Sequence, residues 1–325
     1  MFRDVSRYVR QCETCQRYKP NQQAPAGKML SRVAEEPWAV VCADFIGPLP
    51  RSKHGNTTIL VFHDKFRKWT EIIPLRKATS EGLKKGFRER ILARFGVPKV
   101  FISDNGTQFT SRSFKNFMHE LGVRQQFTAP YTPQENPTER ANKTLKTMIA
   151  QFCQDQHKTW DEQLPEFSLA MNSSKSDVTG YSPAFVVQGR EPRLPGALYD
   201  EHTTGTGREI QSPPARATQL REIFKLVRHK LSQATRDQAR HYNLRRRDWK
   251  PDVGEEVLVR QHPLSSAIRN FAAKLAPKFE GPYTVMGYVS PVIIQIRKKG
   301  DTRVRNAHVS DLKKFYNKVN FIYTP

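Results

Sequence analysis

The chain has 325 residues, 54 Lys and Arg against 31 Asp and Glu, and a formal net charge of +23, a length that suits two or three domains. So large an excess of cations repels itself unless a polyanion neutralises it, which points to nucleic acid. No apolar run approaches the ~20 residues of a spanning helix and the N-terminus has no signal-peptide core, so a soluble intracellular protein without a membrane partner is expected. The four cysteines, Cys12, Cys15, Cys42 and Cys153, are too scattered for a secreted disulfide framework.

In chain order, residues 1–26 contain YVRQCETCQRYKPNQQ, in which Cys12 and Cys15 have the spacing of two thiolates on one zinc. They make only half a site, because the first histidine is His54. A small domain that folds on its metal is poorly packed without it, so residues 1–26 are expected to pack loosely. A polar linker covers 27–36. WAVVCADFIGPLP, NTTILVFHDKF and KWTEIIPLR then read as three strands of an antiparallel meander.

SEGLKKGFRERILARFG reads as a helix capped by Ser80, with Leu83, Phe87, Ile91 and Phe95 at spacing four and a stop at Gly96 and Pro98. KVFIS is a fourth strand, SFKNFMHELG a helix, VRQQFT a fifth strand and TERANKTLKTMIAQF a further helix. Strand, strand, strand, helix, strand, helix, strand, helix is the order of an RNase H-like α/β core, a mixed five-stranded sheet with flanking helices, here placed at 37–195. Trp160, Phe167 and Phe185 read as core.

Residues 196–214 have no apolar period and read as a linker. Over 215–250, 11 Lys and Arg face 3 Asp and Glu, and Leu220, Ile223, Phe224, Val227 and Leu231 form the stripe of a long basic amphipathic helix. Its last turn holds Arg245, Arg246 and Arg247, three adjacent cations that repel unless an anion neutralises them. Short runs over 251–318, separated by Gly, Pro and Asp turns, suit a small all-β SH3-like barrel. Arg260, Lys274, Lys278, Arg297, Lys298 and Lys299 would line one side of it, and 319–325 is a tail.

Three acids stand out by position. Asp44 lies in the first strand, Asp104 ends the fourth, and Glu139 opens the helix after a Pro-rich loop. Any one alone reads equally as a turn former or cap. Together, carboxylates from different elements with open positions left for phosphate suit Mg²⁺. Residues 45 to 103 separate the first pair, 59 in all, and 105 to 138 the second, 34 in all. Helical spacing from Glu139 places Asn142, Lys143 and Lys146 on its face, opposite Ala141, Leu145, Met148 and Ile149.

Asp44, SDNGTQF around Asp104 and PQENPTERANKTLK around Glu139 together resemble the Asp, Asp, Glu core of LTR-retrotransposon (gypsy-like) and retroviral integrases. TGYSPAFVVQGREP and KFEGPYTV, with Gly281, Pro282 and Tyr283, extend the resemblance along the chain. The family has 35 residues in the second gap and Asn-Gly before the Glu, where this chain has Asn136-Pro137; a stiffer loop follows. QCETCQRYK resembles the end of the family's zinc-binding N-terminal domain, so the chain is expected to begin inside that domain.

The resemblance implies a polynucleotidyl transferase that trims 3′ ends and then joins them to target DNA, with Asp44, Asp104 and Glu139 holding two Mg²⁺ (or Mn²⁺) ions. It implies contacts to DNA from Lys143 and Lys146 and work as a homo-multimer on double-stranded DNA in the nucleus, with a cytoplasmic stage before import. Asn105, Gln108, Asn142, Arg245, Arg246, Arg247, Lys278 and Arg297 complete the candidate DNA contacts. The alternative is an inactive or host-retained descendant that binds DNA or chromatin. A purely hydrolytic RNase H-like nuclease is a third account.

Overall fold

The structure is a computed structural model that describes residues 2–29, 34–128, 138–194, 213–263, 265–266 and 270–317. The chain divides into two compact units, Arg32–Arg236, and Met1–Ser31 with Asp237–Pro325. In the first, β1 (Val40–Ile46), β2 (Thr58–Asp64), β3 (Thr70–Leu75), β4 (Val100–Ser103) and β5 (Arg124–Phe127) form one mixed sheet in the order β3-β2-β1-β4-β5. β1, β2 and β3 are antiparallel, and β4 lies parallel to β1 and β5 to β4. This is the RNase H-like arrangement.

The sheet separates two apolar layers, because side chains alternate across a strand. Val41 and Ala43 join Leu60 and Phe62 in one layer, under Leu83, Phe87, Ile91, Phe114 and Met118. Ile46, Ile59, Val61 and Ile72 form the other, under Leu145, Ile149, Trp160 and Phe167. β2 is covered on both faces, so all seven of its residues are buried and its centre, Ile59 to Phe62, is a continuous apolar run without alternation. Trp160, Phe167 and Phe185 are core residues, as the sequence suggested.

The helix after β3 differs from its sequence reading in two details. Thr79, not Ser80, caps α3 (Ser80–Phe87) by accepting the Gly82 N–H, and the Ser80 hydroxyl instead donates to Ser111 at 2.9 Å. Beyond Phe87 the backbone widens into a π turn at Arg88–Leu92 before α4 (Ala93–Phe95). The spacing of four survives, since Leu83, Phe87 and Ile91 are fully buried and Phe95 stacks on Trp38 with ring centroids 3.7 Å apart.

α5 (Thr107–Thr110) and α6 (Arg112–Glu120) lie between β4 and β5, and α7 (Thr138–Cys153), α8 (Leu164–Ser173) and α9 (Pro183–Gln188) follow. Asn172 of α8 closes the open edge at β3: its Oδ1 accepts the Thr70 N–H at 2.8 Å and its Nδ2 donates to the Thr70 carbonyl at 2.9 Å. α10 (Pro213–Asn243) buries Ile223, Val227 and Leu231 against Phe66, Phe185 and Val186.

The second unit is built on β6 (Glu256–Arg260), β7 (Phe279–Tyr288), β8 (Ile293–Lys298), β9 (Val304–His308) and β10 (Leu312–Lys314), an antiparallel sheet in the order β10-β6-β7-β8-β9. Val257, Val259, Tyr283, Val285, Ile294, Ile296 and Val309 fill its core. It is the small β domain anticipated from the turn spacing.

The loose packing expected of residues 1–26 is corrected in part. α1 (Phe2–Gln11) exposes Val5 and Tyr8, but α2 (Glu13–Tyr18) and the strand-like segment after it are tied to the β domain. The Gln16 amide donates to the Tyr316 carbonyl at 3.0 Å and accepts its N–H at 2.9 Å. Arg17 donates to the Gly281 carbonyl at 2.7 Å, and Ala26 is buried in the core beside Arg247. Hydrogen bonds from the Gln16 and Arg17 side chains and the buried Ala26 methyl fix this segment.

Candidate active site

The site starts from register. Val40 pairs with Val100 and Cys42 with Ile102 in the parallel ladder of β1 and β4, a constant offset of sixty that sets Asp44 level with Asp104, one residue past the end of β4. Ala43 and Val41 point into the first apolar layer, so Asp44 points to the opposite face, beneath α7. The Asp104 carboxylate accepts the Gly106 N–H at 2.9 Å and steers the chain into α5.

Asp44 is held at both oxygens. Oδ1 accepts the Phe45 N–H at 2.8 Å and Oδ2 accepts Asn142 Nδ2 at 2.6 Å. Burial pushes its carboxyl up to about 6, and the Asp104 charge pushes the same way; the Phe45 amide, the Lys146 charge and Asn142 pull against them. The two acids therefore feel each other directly, and Lys146 reaches the same field from α7.

Glu139 is exposed in the first turn of α7, three residues before Asn142 and so on its side of the helix. The preceding loop, with Asn136 and Pro137, lies outside the described residues. Among the described residues no three His, Cys, Asp or Glu side chains form a group able to hold a metal ion. Asp44 and Asp104 are brought together, and Glu139 enters from the neighbouring helical turn without closing on them.

The donor set still fits a hard divalent cation. Two carboxylates are forced close enough to repel, a charge that such a cation would relieve, and the buried Oδ1 of Asn142 has no hydrogen-bond partner. Asp64 is a useful contrast, also pushed up to about 6 by burial. It accepts the N–H groups of Trp38, Phe66 and Arg67 at 3.3, 3.1 and 3.0 Å, so it is a turn cap whose oxygens are already occupied.

Several sequence-chosen contacts have partners within the fold. Asn142 does not face outward: the buried stripe of α7 runs Thr138, Asn142, Leu145, Ile149, Cys153, and the amide packs under the helix to reach Asp44. The signal was present, since 138, 142, 145 and 149 already follow helical spacing, but a polar residue within the stripe hid it. Asn105 donates to the Thr128 carbonyl at 2.8 Å and Gln108 to the Ala78 carbonyl at 3.2 Å, which ties loops together.

Arg246 lies over the Tyr242 ring at 4.3 Å and donates to the Ala26 carbonyl, and Arg247 lies over Trp249 at 4.5 Å. The arginine cluster thus lays two guanidiniums on aromatic faces. Lys143, Lys146, Arg245, Lys278 and Arg297 remain exposed. Cys12 immediately precedes α2 and Cys15 lies within it, both half-buried, and among the described residues no group of three His, Cys, Asp or Glu side chains able to hold a metal ion includes them.

The Integrase core domain family matches residues 34–133. The chain is 27% identical over 293 residues to the Transposon Tf2-3 polyprotein of Schizosaccharomyces pombe (strain 972), covering 89% of this chain and 21% of the relative, and equally so to the Tf2-4 polyprotein. It therefore spans about a fifth of the length of these relatives. Its fold is similar to a chain of the simian T-cell lymphotropic virus intasome in complex with PP2A regulatory subunit B56 gamma, with a TM-score of 0.60 and 16% identity over 98% of this chain and 92% of that one.

Proposed function

We infer that this chain, an integrase of the retrotransposon and retroviral kind, is a polynucleotidyl transferase that trims the 3′ ends of linear element DNA and joins them to target DNA. The observation that carries the reading is the level placement of Asp44 and Asp104 on adjacent parallel strands, with Asn142 tying Asp44 to the helix that opens with Glu139. Asp44, Asp104 and Glu139 would hold the metal.

Two Mg²⁺ or Mn²⁺ ions, when bound, supply a more acidic water and charge neutralisation at the attacking and leaving oxygens. Asp44 and Asp104 present hard oxygens from a rigid sheet. Asn142 keeps the Asp44 carboxylate from rotating. Lys143 and Lys146 stand on α7 beside the acids, where cations position a phosphate backbone without reading bases. Exposed Arg245, Lys278 and Arg297 would add further phosphate contacts. The polymer partner is double-stranded DNA, acted on by a multimer of the chain in the nucleus.

The experiment is Asp104→Asn in the full chain, assayed on labelled duplex that mimics the element end. Trimming and joining both disappear, while duplex binding is retained. Strand joining by that variant would overturn the assignment. The second reading is a protein that binds DNA without chemistry, and it draws on the absence of a three-ligand group among the described residues. Metal-dependent products longer than the input strand from the wild-type chain exclude both it and a purely hydrolytic nuclease.

A further inference from the structure

Charge at the far end of the β1–β2 connection is arranged in a way the acid site does not use. Residues 47–57 link β1 to β2, and Gly55 turns there with φ +84°. A methyl group placed on Gly55 would lie 3.7 Å from Arg51 Nη2 and 3.8 Å from both Arg51 Nε and Arg76 Nε. Two exposed guanidiniums thus close on one point above a residue that has no side chain of its own. Neither forms an ion pair among the described residues, and like charges this near repel.

The backbone that carries them is held rigidly. Pro50 accepts the Trp160 indole N–H at 2.7 Å, and Ser52 and Asn56 donate to Asp161 Oδ2 at 2.6 and 2.7 Å. The Gly55 N–H donates to the Ser52 carbonyl at 2.9 Å, and the Arg76 carbonyl accepts the Thr57 hydroxyl at 2.8 Å. The other cation of the loop, Lys53, already pairs with Glu162 at 3.2 Å, and His54 Nδ1 lies 3.4 Å from Asp161. What is left over is a pair of exposed guanidinium forks on a fixed backbone, the donor geometry that suits phosphate oxygens.

Its place in the sheet fits the chemistry. Asp44, Val61 and Ile72 share one row across β1, β2 and β3, and Arg76 lies four residues further along, at the same end as Asp104. At ~3.3 Å per residue and ~4.8 Å per strand that is on the order of 15 Å from Asp44, a span of a few nucleotides of backbone.

We propose that Arg51 and Arg76 clamp a backbone phosphate of duplex DNA at the Gly55 turn, beside the strand ends that carry the acids. This rests on the DNA-joining reading above. The contact sets the register of the duplex and reads no base.

The test uses the full chain carrying Arg51→Ala and Arg76→Ala together, with binding to a short duplex followed by fluorescence anisotropy across a salt series. The log-affinity against log-salt slope becomes shallower by about 1, the share of the one clamped phosphate, with the circular dichroism spectrum unchanged. The Lys pair, Arg51→Lys with Arg76→Lys, keeps the slope and loses affinity, because it keeps charge but not the fork. Should the alanine pair melt early, Arg51→Gln with Arg76→Gln replaces it.

An unchanged slope beside an active wild-type chain overturns the clamp alone. A shallower slope beside a wild-type chain that joins no strands overturns the joining reading and leaves the clamp standing. The same loss of slope with single-stranded RNA, and none with duplex DNA, overturns the choice of ligand.

Discussion

Asn142 shows how one amide ties a core to a reaction. It is buried in the α7 stripe and donates to Asp44, so Asn142→Ala leaves the acid free to turn. Outer partners of metal-holding groups are typically worth 10–100-fold in affinity or activity. The expected outcome is a Mg²⁺ requirement for strand joining raised by about that factor, with little change in duplex binding; a titration of metal against initial rate checks it. His63 yields a prediction of another kind. Burial holds its imidazole down at about 3 against an ordinary 6.5, so the folded chain binds fewer protons than the unfolded one. That contribution is present above pH 6.5 and is lost as pH falls from 6.5 toward 3. Asp64, raised to about 6 by burial, acts in the opposite sense between 6 and 3.8. Melting temperatures between pH 6.5 and 4 should therefore fall less steeply in His63→Gln than in the wild type.

Elements are where long-range contacts enter. Asn172 spends both ends of its amide on the backbone of Thr70 at the β3 edge, and Asn172→Ala leaves the buried Thr70 N–H unpaired while its carbonyl keeps only the Ser168 hydroxyl at 3.5 Å. A loss of about 1–3 kcal/mol is expected from the stranded N–H, to be read by denaturant unfolding against a surface control such as Lys85→Ala. Much of the layout of this unit was legible beforehand. Short apolar runs and turn chemistry marked β1, β2 and β3, and the order of elements implied that β1 and β4 lie side by side. The outward assignment of Asn142 went astray because polar residues are sorted by partner, and its partner, Asp44, is 98 positions away. Thr79 and Ser80 are adjacent and both able to cap, so local chemistry alone could not choose between them. The π turn inside the Leu83 to Phe95 stripe left no mark in the sequence, because one extra residue in a turn keeps a spacing of four.

At the scale of the whole molecule, charge and modularity dominate. With a net charge of +23, duplex binding should weaken steeply with salt, by about 10³–10⁵ between 50 and 200 mM if six to ten phosphates are contacted; a flat salt series would contradict a backbone-led mode of binding. The first thirty residues belong to the same compact unit as the C-terminal strands, which composition could not reveal, since the bond between Gln16 and Tyr316 joins positions 300 apart. In each unit a single carboxamide occupies main chain at or just beyond a border strand, Asn172 at β3 and Gln16 next to β10. An amide placed there acts as a terminator: it takes the two bonds that a visiting peptide would need to extend the pleated surface. Two copies of this chain brought close together would thereby be denied these two margins as seams for fusing sheet to sheet.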